Sequence, residues 1–184
     1  MVNSITAYRL IAAPILLLLI INNQLKTFSI LLCISFFTDA IDGYLARKFS
    51  VQSLLGAKLD SIADDFTIGV AIIGILVFEP YFLWNQSVFV VILLILYILQ
   101  FSVSLLKYHK MSSFHTYLAK VAAVLQAVFL MLFFLVRPIY PLFYIVVLIT
   151  ALDLIEEIIL VKILPKWESN VKGLYWVLKR KHLG

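Results

Sequence analysis

Almost the whole chain is a succession of apolar runs about as long as a bilayer is thick. The runs lie near 4–22, 27–47, 54–78, 84–107, 115–137 and 141–163. Their polar breaks are short: Asn22 to Lys26, Lys48 to Ser53, Glu79 to Tyr81, Tyr108 to Phe114 and Pro138 to Pro141. A helix of about 20 apolar residues crosses the hydrocarbon core, and its backbone satisfies its own hydrogen bonds there. Of 184 residues 64% are hydrophobic and 14% charged, against about 25% charged in a soluble domain. That little polar surface cannot cover that much apolar surface, so the bilayer is the expected solvent. The pattern predicts an all-α, polytopic membrane protein of six transmembrane helices, forming one domain over 1–164. The stretch 165–184 is polar and basic, with Trp167, Tyr175 and Trp176. That mixture suits a tail at the membrane interface.

The first run follows Arg9 and extends from Leu10 to Ile21, the gross shape of a signal peptide. Pro14 interrupts it, and Asn22-Asn23-Gln24 offers no small-residue cleavage site. It reads as a retained first span. Cys33 is the only cysteine, so no intrachain disulfide is possible. With six spans, all of the 15 lysines and arginines except Lys26 and Arg137 fall on one side or at its helix ends. The positive-inside rule puts that side, with both termini and the 2–3 and 4–5 connections, in the cytosol. The expected location is the bacterial cell membrane. The net charge of +5 is spread between apolar runs, which favours a membrane surface over nucleic acid as its partner.

Acidic residues are few and concentrated. Asp39 and Asp42 are i and i+3 on the second run, and Gly43 and Ala46 continue their face with almost no side chain. On the third run Gly56, Asp60 and Asp64 are spaced by four. The connection between these runs is short, so four carboxylates are expected to converge beside small residues, at the cytosolic side. One ionised aspartate at a helix centre in lipid costs about 2.5–3.5 kcal/mol. A cation must neutralise this set, or several members must be protonated. Oxygen-only donors select a hard ion, Mg²⁺, Mn²⁺ or Ca²⁺, over zinc. Two ions can share this many ligands, as in paired-metal phosphoryl transfer.

The stretch from Asp39-Ala40-Ile41-Asp42-Gly43-Tyr44-Leu45-Ala46-Arg47 to Gly56-Ala57-Lys58-Leu59-Asp60-Ser61-Ile62-Ala63-Asp64 resembles the signature of the CDP-alcohol phosphotransferases. Every fixed position of D-x2-D-G-x2-A-R-x8-G-x3-D-x3-D matches, including the spacer. Members of that family transfer a phosphatidyl or similar group from a CDP-linked donor to an alcohol and release CMP. The resemblance implies six transmembrane helices and a homodimer. It implies that Asp39, Asp42, Asp60 and Asp64 ligate Mg²⁺ or Mn²⁺, with two ions expected. Asp64 would also act as general base on the acceptor hydroxyl. Gly43, Arg47 and Ser53 would lie against the CDP part of CDP-diacylglycerol, with Ala46 and Gly56 leaving room for it. Asn3, Thr6 and Arg9 are similar to the lead-in of the family's first span, which adds Asn3 and Thr6 to the donor side.

The acceptor is less legible. Lys110, His115 and Lys120 share the cytosolic side with the aspartates, and a basic pocket there would bind a phosphate on the alcohol. Ala119-Lys120 with Gln126 is similar to a motif of bacterial phosphatidylglycerophosphate synthases, which makes glycerol 3-phosphate the leading acceptor. The chain departs from that motif at Ala122 and Ala123, where lysine and threonine are usual, and at Asp65, where lysine is common. Asp60-Ser61-Ile62-Ala63-Asp64 is also similar to phosphatidylserine synthases, so serine, inositol and inositol phosphate stay open. Asp153, Glu156 and Glu157 share a face of the sixth run, and pairing with Lys162 or with cations on another helix is the expected arrangement. Intramembrane acids also mark cation or proton transporters. Transporter sites lie at the midplane between internal repeats, and no repeat is present here.

Overall fold

Bilayer-length apolar segments separated by turn residues become helices, and the computed structural model is helical throughout. It describes the backbone at 2–49, 54–110, 112, 114–168 and 171–182, and side chains at 12–38, 41, 66–110, 112, 114–168 and 171–180. In chain order the helices are α1 (Val2–Ile21), α2 (Leu25–Phe49), α3 (Leu54–Phe78), α4 (Pro80–Asn85), α5 (Ser87–Tyr108), α6 (Tyr117–Leu135), α7 (Tyr140–Ile163) and α8 (Leu174–His182). No strand occurs among the described residues. Among the described residues two helices are long and apolar enough to cross a membrane: α5 with 22 residues and α6 with 19. At 1.5 Å per residue they extend about 33 and 28 Å, close to the roughly 30 Å hydrocarbon core. α5 exposes Val88, Val91, Leu94, Ile95 and Ile98 along its length, a surface that only an apolar solvent suits.

The helix ends follow local chemistry. α1 stops where Asn23 takes a left-handed conformation (φ 57°), which asparagine tolerates better than most residues. The amide of Gln24 donates to Leu19 O and that of Asn23 to Ile20 O, both at 2.9 Å, the paired bonds of a Schellman stop. Pro80 opens α4 at a position that needs no amide donor. The stretch expected to enter a span at 84 is therefore divided, with α4 ending at Asn85 and α5 starting at Ser87. Pro141 similarly lies in the first turn of α7. Within the stretch after α7, residues Leu174–His182 form α8.

Packing divides the chain into two compact units, Met1–Trp84 with Leu130–Pro138, and Asn85–Phe129 with Ile139–Gly184. In the first, α1 packs against both α2 and α3. Phe28 of α2 is fully buried. Its ring meets Phe134 edge-on at 5.0 Å and Phe78 at 5.5 Å. Gly74 makes that approach possible, because a Cβ there would sit 2.7 Å from Phe28 Cζ. In the second unit α5 packs along α7, and α7 contacts α8. Gln126 Nε2 donates to Thr150 Oγ1 at 2.8 Å, tying α6 to α7. The Lys107 ammonium donates to Val161 O at 2.8 Å and lies 3.1 Å from Lys162 O. The Tyr108 hydroxyl lies 2.8 Å from Leu164 O. A cation and a hydroxyl thus satisfy carbonyls that the end of α7 leaves free.

Candidate functional site

Asp39, Asp42, Gly43, Ala46 and Arg47 lie on α2, and Gly56, Asp60 and Asp64 on α3. Asn3 and Thr6 lie on α1, which packs against both. Ser53 and the side chains of all these residues lie outside the described residues. The backbone still constrains them. Asp39 and Asp42 are about 60° apart around α2, and Gly56, Asp60 and Asp64 follow one face of α3 with a drift of about 40° per step. The acid-bearing ends of α2 and α3 are consecutive in the chain, and the two helices are in contact. Ser35 returns its hydroxyl hydrogen to Leu31 O at 3.0 Å and Thr38 to Ser35 O at 2.9 Å, so both hydroxyls are satisfied within the helix that presents the acids.

The donor chemistry of this pair of helices fits a hard dication. Neither helix carries a histidine, and Cys33 is six residues before Asp39, about 9 Å along the axis. Four carboxylates with neither imidazole nor thiolate among them match Mg²⁺ or Mn²⁺.

The expected acceptor residues fall in the second unit, and two of them converge. Thr116 caps α6: its Oγ1 accepts from the Ala119 amide at 3.0 Å, as N-cap threonines do. That cap fixes Lys120 in the first turn. His115, just before it, is held in the left-handed region at φ 51°. His115 and Lys120, with Tyr117, Val171 and Lys172, line a cavity of about 270 Å³. The Lys120 ammonium stands 5.5 Å from the Tyr117 ring centroid, within cation–π range. Lys110 is not among the lining residues, and its ammonium lies 5.7 Å from the Trp167 ring. Tyr117, Val171 and Lys172 had no distinguishing signal in the sequence, since a lysine in a basic stretch looks like its neighbours.

The acids of α7 depart from the pairing expected of them. Glu157 Oε2 accepts from Gln100 Nε2 at 2.6 Å and from Ser112 Oγ at 2.8 Å. Gln100 Nε2 also contacts Ser112 Oγ. Glu156 Oε1 accepts from the Leu174 amide at 2.8 Å. Asp153 Oδ1 and Glu156 Oε2 are buried without a hydrogen-bond partner among the described residues. Lys162 is no partner of any of them there. Glu157 Oε2 and Glu156 Oε1 take neutral donors because Lys162 follows them by more than a turn and lies at the end of the helix, whereas α5 and the segment before α8 lie alongside.

The chain belongs to the CDP-alcohol phosphatidyltransferase family, whose model matches residues 1–156. It is 38% identical over 77 residues to a CDP-diacylglycerol–glycerol-3-phosphate 3-phosphatidyltransferase of Rickettsia felis, covering 40% of this chain and 42% of that protein. It is 38% identical over 56 residues to the protein of the same name from Salmonella typhimurium, covering 30% of each. It is 40% identical over 62 residues to a cardiolipin synthase (CMP-forming)/mitochondrial hydrolase fusion protein of Schizosaccharomyces pombe, covering 34% of this chain and 10% of that protein. The chain thus spans under half the length of these curated relatives. No solved structure matches it.

Proposed function

We propose that this chain transfers the phosphatidyl group of CDP-diacylglycerol to a small polar alcohol, with glycerol 3-phosphate as acceptor, in phospholipid biosynthesis. The observation that carries the reading is the uninterrupted signature from Asp39 to Asp64, inside the stretch matched by the family model. The acceptor rests on the names of the Rickettsia and Salmonella relatives and on the basic cavity at Lys120 and His115. Lys110 is proposed on the acceptor side from its place in the same connection.

In this reading Asp39, Asp42, Asp60 and Asp64 hold two Mg²⁺ or Mn²⁺ ions. When bound, these neutralise charge on the donor pyrophosphate. Asp64 takes the proton of the acceptor hydroxyl. A carboxylate within hydrogen-bond reach of the acceptor hydroxyl can act as its general base. The acceptor oxygen forms a bond to the phosphorus that bears the diacylglycerol. The bridging P–O bond breaks, and its electron pair leaves with CMP. Arg47 directs two donors at a donor phosphate. Gly43, Ala46 and Gly56 let the nucleotide approach the helix backbone, with Ser53, Asn3 and Thr6 alongside. The chain crosses the membrane six times, with both termini and the site cytosolic, and pairs as a homodimer. Lipid tails stay in the bilayer while a soluble acceptor and CMP exchange with the cytosol.

The test is CMP release from CDP-diacylglycerol by purified protein with Mg²⁺ or Mn²⁺, against a panel of glycerol 3-phosphate, serine, inositol and inositol phosphate. Release is expected with glycerol 3-phosphate alone. Asp64→Asn is expected to abolish it without lowering the melting temperature, and unchanged turnover in that variant would defeat the mechanism. Phosphatidylglycerol is added as a further acceptor and cardiolipin scored as its product, because the name of the Schizosaccharomyces relative favours that transfer as a second reading.

A further inference from the structure

Three sets of contacts in the second unit form one construction. Glu157 of α7 holds Ser112, in the connection between α5 and α6. Glu156, its neighbour, holds the Leu174 amide at the start of α8. Between these anchors the segment after α7 pairs with the α5–α6 connection. The Val171 amide donates to Phe114 O at 2.8 Å, and the Tyr117 amide to Lys172 O at 3.2 Å. Apolar packing closes it: Phe114, Leu160, Val161, Leu164, Val171 and Val177 form one buried cluster. The ring of Trp176 meets that of Tyr117 at 5.4 Å.

This construction places Lys172 on the same cavity as His115 and Lys120. Among the described residues no carboxylate lines the cavity and neither lysine is ion-paired. Two like charges brought together without a counter-charge repel, and an anion between them removes that cost. Lysines bind phosphate as point charges through short, charge-assisted bonds. A phosphate monoester, with about two negative charges near neutral pH, matches two ammonium groups. The cavity is smaller than the roughly 300–1,000 Å³ of a drug-sized site, which suits the phosphate of a short polyol.

We propose that Lys172 is a phosphate-binding residue, acting with Lys120 and His115 on a small soluble phosphate monoester, and that Glu156 is the residue that positions it. Lys172 lies beyond residues 1–156 matched by the family model. That the phosphate is the acceptor's rests on the function proposed above; that the cavity binds a phosphate monoester does not.

The test uses the full chain in lipid nanodiscs and has two arms. In the first, acylation of lysines is followed residue by residue by mass spectrometry. Glycerol 3-phosphate is expected to slow labelling of Lys172 and Lys120 several-fold while leaving Lys26 unchanged, and glycerol is expected to do nothing. Equal labelling with and without glycerol 3-phosphate overturns the site. Protection by phosphatidic acid in the nanodisc, but not by glycerol 3-phosphate, overturns the assignment to a soluble ligand. In the second arm Lys172→Gln raises KM for glycerol 3-phosphate about tenfold or more, leaves KM for CDP-diacylglycerol unchanged, and is rescued by Lys172→Arg. An unchanged acceptor KM overturns the role of Lys172 in catalytic turnover. Glu156→Ala is expected to raise the acceptor KM as Lys172→Gln does. Glu156→Gln keeps an oxygen for the Leu174 amide and is expected to stay near the parent value; equal defects in both Glu156 variants overturn the positioning role. Labelling protection without CMP release from any acceptor leaves the site standing and overturns the catalytic reading instead.

Discussion

Gly173 carries the bend between Lys172 and α8. Its φ of +146° lies where side-chain-bearing residues rarely go, and a Cβ there would stand 3.1 Å from Glu156 Oε1, the atom that accepts from Leu174. Gly173→Ala is expected to cost about 1–3 kcal/mol, seen as a lower melting temperature and faster proteolysis after Lys166 or Lys172. Gly74 makes a different demand, because Phe28 and Phe134 already occupy the space a methyl would need. Gly74→Ala is expected to lose about 1–3 kcal/mol by overpacking, measured by thermal unfolding in detergent. Neither glycine announces itself in the sequence, since each is required by a residue far away in the chain. The aspartates are the opposite case. Their spacing is a local signal, so the proposal for Asp39, Asp42, Asp60 and Asp64 is drawn from the sequence alone, while that for Lys172 needs the backbone bonds to Phe114 and Tyr117.

Helices are where sequence reasoning reaches furthest in this chain. The run at 54–78 coincides with α3, and the other runs meet their helices within a few residues, because apolar length and polar breaks are local signals. α4 and α8 are short and mixed in composition, so periodicity alone does not separate them from their surroundings. The partners of the α7 acids were not legible either. Gln100 is distant in sequence from Glu157, and a carboxylate's preference for a lysine cannot be told from its acceptance of an amide without knowing which helix lies alongside. Glu157→Ala is expected to destabilise the protein by about 1–3 kcal/mol, since it leaves Gln100 Nε2 and Ser112 Oγ without their acceptor. The readout is the melting temperature, which at this chain length falls by about 2–4 °C per kcal/mol. Gln100→Leu combined with Glu157→Leu is expected to lose less than Glu157→Ala, because the buried donor on α5 goes together with its acceptor.

For the whole molecule, two properties follow from the proposed reading. Removing divalent metal with a chelator is expected to stop CMP release, and Mg²⁺ or Mn²⁺ to restore it. Restoration by neither ion would sink the metal assignment. The six-span topology is open to cysteine labelling, because Cys33 is the only native thiol and is buried. In a Cys33→Ser background, Gln24→Cys is expected to react with an impermeant maleimide added outside intact cells. Lys166→Cys is expected to react only after permeabilisation. The reverse pattern would invert the orientation drawn from the lysines and arginines.

The attachment of the 171–174 stretch has a consequence for how such enzymes diverge. It is held through main-chain atoms at Val171, Lys172 and Leu174 and through the apolar side chains of Val171 and Leu174, so the Lys172 side chain is not needed for docking. Mutation can explore charge and shape at the cavity wall while the aspartate helices stay untouched. On the proposed reading, selectivity for the alcohol can therefore drift separately from the chemistry, and exchanging this short segment between relatives is expected to carry acceptor preference with it.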